Sequence, residues 1–236
     1  MLGWLFIKLW KRKVQYLHHS EAGGSSLLLK GDEHRYIFKV RRHREGETIA
    51  LRNLVDDSIY FYKIGSLNKK EAYLFLEKSE NLTIQAKRKL HIGWCVIDPK
   101  SVEKVLPSLN EMGVDAITFI YCERSQKSFK PDFKRLEKIL LNSSQQSGRS
   151  SMMKLSMGDN LSSFLEKNKE AVMLNFSEQT LNEGSSDIGT FVVGCEGGFT
   201  VDEVALFQKE NIMGLDTPLI LKSESAVCAI ASKLLL

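Results

Sequence analysis

The sequence has 236 residues, of which 43% are hydrophobic and 26% are charged, and its formal net charge is +4. This length suffices for one large domain or two small ones with a packed core, and no repeat or low-complexity segment appears. The four cysteines are widely spaced and form no Cys-x-x-Cys pair, which argues for a reducing cytoplasm and against a disulfide framework or a zinc site.

Residues 1–13 form a short extension rich in apolar and basic residues. Its apolar run is interrupted by Lys8 and followed by Lys11, Arg12 and Lys13. The run is much shorter than the roughly 20 residues that span a bilayer, and its charges lie on the wrong side for a signal peptide. We therefore expect neither secretion nor a membrane span. An amphipathic surface anchor is the alternative to a plain extension.

Residues 14–89 are predicted to form a small β-barrel domain. Short apolar segments at residues 27–29, 48–51 and 59–62 alternate with turns that contain Gly, Asp and Asn. The basic run 87–89 follows and reads as the linker to the next domain.

Positive charge is concentrated in this part of the chain. Residues 1–90 hold 18 Lys and Arg against 10 Asp and Glu, whereas the remaining residues hold 15 against 19. A short helix is predicted in the densest basic cluster, with Tyr36, Ile37 and Val40 on its apolar face. The cluster predicts a surface for the phosphate backbone of a nucleic acid, although an ordinary solvated face is the alternative. The cluster contains His34, Arg35, Lys39, Arg41, Arg42, His43 and Arg44.

Residues 90–236 alternate strand and helix patterns. The pattern predicts strands at residues 92–97, 116–121, 171–174 and 190–193, and helices at residues 100–112 and 132–144. Such a rhythm is typical of a parallel sheet in an α/β domain. Ligands of these folds usually bind at the carboxyl ends of the strands.

A glycine-rich turn follows the last of these strands. Gly194, Gly197 and Gly198 permit a tight turn and a close approach of a ligand to the main chain. Thr200 and Glu203 then form a capping box, which predicts a helix that begins at Thr200. A strand, a glycine turn and a capped helix form a common ligand site, but an ordinary strand-to-helix turn gives the same pattern.

A second loop, residues 214–222, contains Gly214, Leu215 and the apolar run 218–221, and Ser223 is predicted to cap a final helix through residue 234. The helix has an apolar face suited either to a partner chain or to the core. Together with the upstream run Gln145-Gln146-Ser147-Gly148-Arg149, the two loops resemble the bacterial 16S ribosomal RNA (uridine-N3) methyltransferase family of the SPOUT class. That family carries Gly-Pro-Glu-Gly-Gly-Phe, then Leu-Gly-x-x-Ile-Leu-Arg-x-Glu-Thr-Ala, and a Glu-Gln-Ser-x-Arg block before both.

The sequence departs from this pattern at a few positions. Cys195 stands where the family has proline, Gln145 where it often has glutamate, and Lys222 and Ser225 replace arginine and threonine. Cys195 keeps a small residue at the turn, whereas Gln145 removes a charge near the expected RNA-facing site. The extension 1–13 has no counterpart in the family pattern.

The resemblance implies a fold, a cofactor and a partner. It implies a PUA-like RNA-binding β-barrel at residues 14–89 and a SPOUT α/β domain at residues 90–236, with a parallel sheet and a C-terminal trefoil knot. It also implies a pocket for S-adenosyl-L-methionine and a homodimer formed through the knot. The cofactor-binding residues that it implies are Leu174, Gly194, Glu196, Gly197, Gly198, Met213, Gly214, Leu215, Leu219, Ile220, Leu221, Ser223 and Ala226.

The implied reaction transfers a methyl group to N3 of a uridine in 16S ribosomal RNA. Neutral uridine carries a proton at N3, so a cation near the carbonyl oxygens would stabilise the anion that forms on its removal. Arg149 is the leading catalytic candidate and Arg124 is the next. Arg149 has the alternative role of holding a phosphate, and Arg124 that of bracing the dimer or the RNA. Glu196 is a conceivable base, although hydrogen bonds that order its own loop are the favoured role.

RNA contacts are expected at His34, Arg35, Lys39, Arg41, Arg42, Gln146 and Arg149. No metal ion is implied, and the partner is the small ribosomal subunit in the cytoplasm. Two other functions stay open. One is a SPOUT methyltransferase that acts on another ribosomal or transfer RNA site, and the other is a non-catalytic RNA-binding protein that keeps the knot as a scaffold.

Overall fold

The computed structural model describes residues 15–181 and 188–236. These residues form two compact units. The first contains the described residues up to Gln85 together with Ser144–Ser151, and the second contains Ala86–Ser143 and Met152–Leu236. Sequence patterning predicted one boundary, after residue 89, and did not single out Ser144–Ser151. The extension predicted at residues 1–13 lies outside the described residues.

The first unit is built on a five-stranded sheet. Its strands are β1 Leu17–His18, β2 Ser26–Lys30, β3 Thr48–Arg52, β4 Ser58–Leu67 and β5 Glu71–Asn81. Their order is β1-β3-β4-β5-β2, and β1 runs parallel to β3 while the other neighbours are antiparallel. Alternate side chains point to one buried face, which holds Leu27, Leu29, Ile49, Leu51, Ile64 and Leu74. The three segments predicted as strands are confirmed.

The helix α1 in the basic cluster differs from the prediction in one respect. An α-helical turn, Gly31–His34, continues as a π-helix, Arg35–Val40. Of the three residues assigned to the apolar face only Ile37 is buried, whereas Tyr36 and Val40 are exposed. That assignment is wrong because the i→i+5 spacing of a π-helix changes which residues share a face.

The second unit is built on a six-stranded sheet in which every neighbouring pair is parallel. Its strands are β6 His91–Cys95, β7 Ala116–Ile120, β8 Lys154–Met157, β9 Val172–Leu174, β10 Thr190–Val193 and β11 Ile212–Met213. Their order is β11-β9-β10-β6-β7-β8. The central strands are buried on both faces, as parallel sheets require. The predicted parallel α/β architecture is confirmed.

Within the described residues, five α-helices lie between these strands or after the last of them. They are α2 Pro99–Met112, α3 Phe133–Ser147, α4 Leu161–Lys167, α5 Val201–Val204 and α6 Ser223–Leu235. Helix α2 begins where the Asp98 carboxylate accepts the Ser101 N–H, and it ends at Gly113, whose φ is 100°. In the described ranges, no helix is long and apolar enough to cross a membrane.

Helix α6 is part of the core of the second unit. Its apolar face is buried within the unit through Ala226, Val227, Ile230, Ala231 and Leu234. Of the two alternatives for this apolar face, a partner chain or the core, the structure therefore shows the core. The predicted cap is wrong, because Lys222 occupies the N-cap and Ser223 is the first helical residue.

Two cysteines are joined in the second unit. Cys95 and Cys122 form a disulfide with 5.8 Å between their Cα atoms. Cys95 is in register with Ile120 on the neighbouring strand, and Cys122 lies two residues further on the same face. The expectation that the cysteines form no disulfide is wrong here, because strand pairing, not closeness in sequence, brings the two thiols together.

Candidate functional site

The carboxyl ends of four neighbouring strands lie side by side in the second unit. Val193 on β10 is in register with Trp94 on β6 and with Leu174 on β9, and β11 ends beside β9 at Met213. The loops that follow these strands therefore leave the sheet at one edge, which is where α/β folds bind ligands. Both loops that the sequence singled out start here.

The first loop, residues 194–198, is a tight turn that depends on glycine. Gly198 has a φ of 68° and donates its N–H to the Cys195 carbonyl at 2.9 Å. A Cβ atom on Gly194 would lie 3.2 Å from the Phe199 ring and 3.3 Å from the Gly198 Cα atom. The turn thus leaves little room for side chains at Gly194 and keeps Glu196 and Gly197 exposed.

The predicted capping box follows this loop and is confirmed. Thr200 accepts the Glu203 N–H, and the Glu203 carboxylate accepts the Thr200 N–H at 2.9 Å. The helix that it starts is α5, which has only four residues. The carboxylate also accepts the Glu123 N–H at 2.9 Å. Sequence reasoning missed this second contact because it joins residues 80 positions apart.

Arg124 contacts the same loop. Its Nη1 atom donates to the Gly197 carbonyl at 2.7 Å, and a Cβ atom on Gly197 would lie 3.2 Å from the Arg124 Cβ atom. The predicted catalytic candidate is therefore placed at the glycine loop. The Asp98 N–H approaches the Glu196 carboxylate at 3.4 Å, so this carboxylate faces a neighbouring loop.

At the start of the second loop, the main chain of Gly214 packs closely against a neighbouring main-chain segment. Gly214 donates its N–H to Gln179 and accepts the Leu181 N–H, each at 2.8 Å. A Cβ atom on Gly214 would lie 2.7 Å from the Ser177 carbonyl oxygen, so only glycine fits this close approach. Leu219, Ile220 and Leu221 follow and are exposed.

Ser223 joins the two loops to the sheet. Its hydroxyl donates to the Gly194 carbonyl and accepts the Trp94 indole N–H at 2.8 Å. A hydroxyl can make both bonds because it carries one donor and two acceptor sites. Instead of capping α6, Ser223 thus fixes the start of that helix against the glycine turn, and Ala226 is buried one turn later.

Arg149 and its neighbours belong to the first unit. The Arg149 side chain is 7% exposed, and its carbonyl accepts the Tyr16 hydroxyl at 2.8 Å. Burial raises the pKa of Tyr16 above its ordinary value, although Arg52 and Arg149 oppose that shift. Gln145 is buried and accepts the His18 N–H at 2.9 Å, whereas Gln146 is exposed.

The other RNA candidates of the first unit differ in exposure. His34 is buried, and its Nε2 atom lies 3.0 Å from the Asn68 carbonyl oxygen. The side chains of Arg35, Lys39, Arg41 and Arg42 are exposed. This surface therefore presents arginine and lysine, which suit phosphate, while the imidazole points inward. In the part of the chain that the structure describes, no group of three His, Cys, Asp or Glu residues is placed to hold a metal ion.

Comparisons with known proteins agree with both units. The RNA methyltransferase domain family matches residues 85–235, and the RNA methyltransferase PUA domain family matches residues 29–77. Two solved structures are similar to this chain at a TM-score of 0.76. One is a methyltransferase from Legionella pneumophila in complex with S-adenosylmethionine, at 22% identity over 94% of this chain and 96% of that one.

The other solved structure is ribosomal RNA small subunit methyltransferase E from Neisseria gonorrhoeae bound to S-adenosylmethionine, at 18% identity over 93% of this chain and 95% of that one. Both likenesses concern the fold alone. Sequence relatives carry the same name. The enzyme from Helicobacter pylori is 33% identical over 93% of this chain and 98% of its own length. The enzyme from Aquifex aeolicus is 26% identical over 94% and 99%. The chain belongs to the ribosomal RNA small subunit methyltransferase E family.

Proposed function

We propose that this protein transfers a methyl group from S-adenosylmethionine to N3 of a specific uridine in 16S ribosomal RNA. Family membership supports methyl transfer to small-subunit ribosomal RNA, because the relatives are named for that reaction. The observation that carries the proposal is the pair of glycine-dependent loops at the carboxyl edge of the parallel sheet. The choice of N3 rests on the resemblance of the loop motifs.

The two loops have the chemistry that this cofactor needs. Gly194, Gly198 and Gly214 keep side chains away from the edge, so adenine and ribose would be able to approach the main chain of both loops closely. The exposed apolar run 219–221 would cover the adenine ring. Leu174, Met213 and Leu215 would complete the cradle. When bound, S-adenosylmethionine supplies an electrophilic methyl group on a sulfonium.

The task left to the protein is to bind uridine, align N3 and stabilise the anion formed when the N3 proton leaves. We assign anion stabilisation to Arg149, with Arg124 as the second candidate. Exposed Arg35, Lys39 and Arg41, together with Arg42 and Gln146, would bind the RNA backbone around the target. Their cationic and amide groups are accessible, which supports this role.

We further infer that two copies associate and that the last helix closes a trefoil knot, as in the SPOUT class. Exposed apolar side chains in the second unit support an association surface. They are Phe176, Val201, Leu206, Leu219 and Ile220. A ribosomal substrate would place the protein in the cytoplasm.

The test is nucleoside mass spectrometry of 16S ribosomal RNA. Small subunits from a strain that lacks this gene are incubated with the protein and S-adenosylmethionine. We expect 3-methyluridine to appear. Cofactor binding without methylation would redirect the proposal to another ribosomal or transfer RNA. Absence of cofactor binding would favour a non-catalytic RNA-binding protein.

A further inference from the structure

Glu203 is a buried carboxylate beside the proposed cofactor loops. Its side chain lies on α5, and the residue is 6% exposed. Among residues 15–181 and 188–236, no Lys, Arg or His forms an ion pair with it. A buried carboxylate that lacks a cation must be stabilised by hydrogen bonds.

Those hydrogen bonds come from two separate segments. One carboxylate oxygen accepts the Thr200 N–H at 2.9 Å. The other accepts the Glu123 N–H, also at 2.9 Å. Thr200 belongs to the segment that leaves the glycine turn, and Glu123 belongs to the loop after β7. The carboxylate therefore bridges the two loops, which is more than an N-terminal capping role requires.

A second contact closes a ring between the same two loops. Arg124 follows Glu123 directly and donates to the Gly197 carbonyl at 2.7 Å. Gly197 in turn precedes Thr200 by three residues. Hydrogen bonds to a charged group are shorter and stronger than neutral ones, and both contacts between the loops are of this kind. The Arg124 loop is thus held to the segment around the glycine turn at two adjacent residues, through the Glu123 N–H and the Arg124 guanidinium.

We propose that Glu203 is a positioning residue, which acts through the Arg124 loop to hold the Gly197 and Gly198 main chain in the geometry that binds S-adenosylmethionine. This inference rests on the proposed function. The positioning role requires a carboxylate at position 203, because the Thr200 and Glu123 N–H groups each point at an acceptor oxygen of this side chain. A glutamine offers one acceptor oxygen, and its NH2 group would face the remaining N–H donor.

The experiment compares Glu203→Gln with Asp202→Asn in the full-length protein. Asp202 lies on the same short helix and is exposed, so the control removes the same charge without breaking the bridge. Isothermal titration calorimetry measures the dissociation constant of S-adenosylmethionine. We expect Glu203→Gln to weaken binding by roughly tenfold or more, because a buried charged hydrogen bond is lost. Asp202→Asn should change binding less than about twofold.

A double-variant cycle separates positioning from helix capping. Arg124→Met breaks the other contact of the ring and leaves the capping box in place. If Glu203 acts through the Arg124 loop, the double variant binds the cofactor little worse than Glu203→Gln alone. Thr200→Ala serves as the capping control, and it should lower the melting temperature with a smaller effect on cofactor affinity.

Three outcomes decide the matter. Additive effects of the two variants, or an unchanged affinity in Glu203→Gln, contradict the positioning role while the proposed function stands. A wild-type protein that binds no S-adenosylmethionine contradicts both. If Glu203→Gln does not fold, Arg124→Met and Arg124→Lys replace it in the test. We then expect Arg124→Met to bind the cofactor more weakly than the wild type and Arg124→Lys to recover part of that affinity. Equal cofactor binding by the two variants and the wild type would overturn the positioning role.

Discussion

The two loops at the carboxyl edge of the parallel sheet are held in different ways. The loop at residues 194–198 is fixed by side chains from elsewhere in the second unit, chiefly Arg124 and Ser223. The loop that starts at Gly214 is fixed by main-chain hydrogen bonds, and its close approach tolerates no side chain. The first loop thus depends on side-chain hydrogen bonds as well as on glycine, whereas the second depends on glycine and on main-chain hydrogen bonds. Substitutions should therefore damage them by different routes.

The largest effect is expected from the disulfide that supports the Arg124 loop. Cys95 and Cys122 close a loop of 27 residues, and the chain-entropy relation gives such a bond about 3–4 kcal/mol. The double variant Cys95→Ala with Cys122→Ala should therefore melt about 10 °C lower in the absence of reductant. Circular dichroism with and without dithiothreitol measures this shift. The single variant Cys228→Ala is the control, and equal melting of all three proteins would contradict the prediction.

Gly214→Ala tests the second loop. The added Cβ atom would meet the Ser177 carbonyl oxygen at 2.7 Å, and such overpacking costs about 2–3 kcal/mol. We expect a lower urea midpoint and weaker binding of S-adenosylmethionine. Gly189→Ala is the matched control, since its nearest neighbour is the Lys89 carbonyl oxygen at 4.0 Å. If the two variants unfold at the same urea concentration, the second loop has more freedom than this structure gives it.

Ser223→Ala tests the junction of the first loop with α6. It removes the hydroxyl shared by the Trp94 indole and the Gly194 carbonyl. The buried indole N–H and the half-buried Gly194 carbonyl then lose a partner, so we expect a loss of about 1–3 kcal/mol. The exposed Ser225 lies on the same helix, and Ser225→Ala should change the free energy of unfolding by less than about 0.5 kcal/mol. Equal losses in the two variants would argue against the junction.

The smallest effect concerns His91, which starts β6 at the edge of the sheet opposite both loops. Burial lowers the pKa of His91 below its ordinary value of 6.5. The folded state therefore favours the neutral ring, and stability falls as the pH drops below the unfolded pKa. We expect His91→Gln to reduce this acid sensitivity in unfolding curves recorded between pH 7.5 and pH 5.5, without changing cofactor affinity at pH 7.5. A pH dependence identical to that of the wild type would contradict the assignment.

The sequence predicted those features that depend on neighbouring residues. Thr200 and Glu203 are three positions apart, so the sequence predicted their capping box, and it also predicted the strand Thr190–Val193 and the end of the helix at residue 112. The sequence did not predict contacts between residues that are distant along the chain. The bond from Glu203 to Glu123, the two bonds of Ser223 and the disulfide all depend on strand order. Charge clustering located the basic surface but could not show that His34 points inward.

The bonds of Ser223 also bear on when the site forms during folding. The Trp94 indole and the Ser223 hydroxyl are separated by 129 residues, and α6 must dock before either the indole or the Gly194 carbonyl finds this partner. Contacts of such long sequence separation close slowly, because the entropy of a long loop is lost before they form. The edge of the sheet that carries both loops is thus complete only after α6 has docked. A chain caught before that step would lack the apolar face of α6 from its core and would lack both bonds of Ser223.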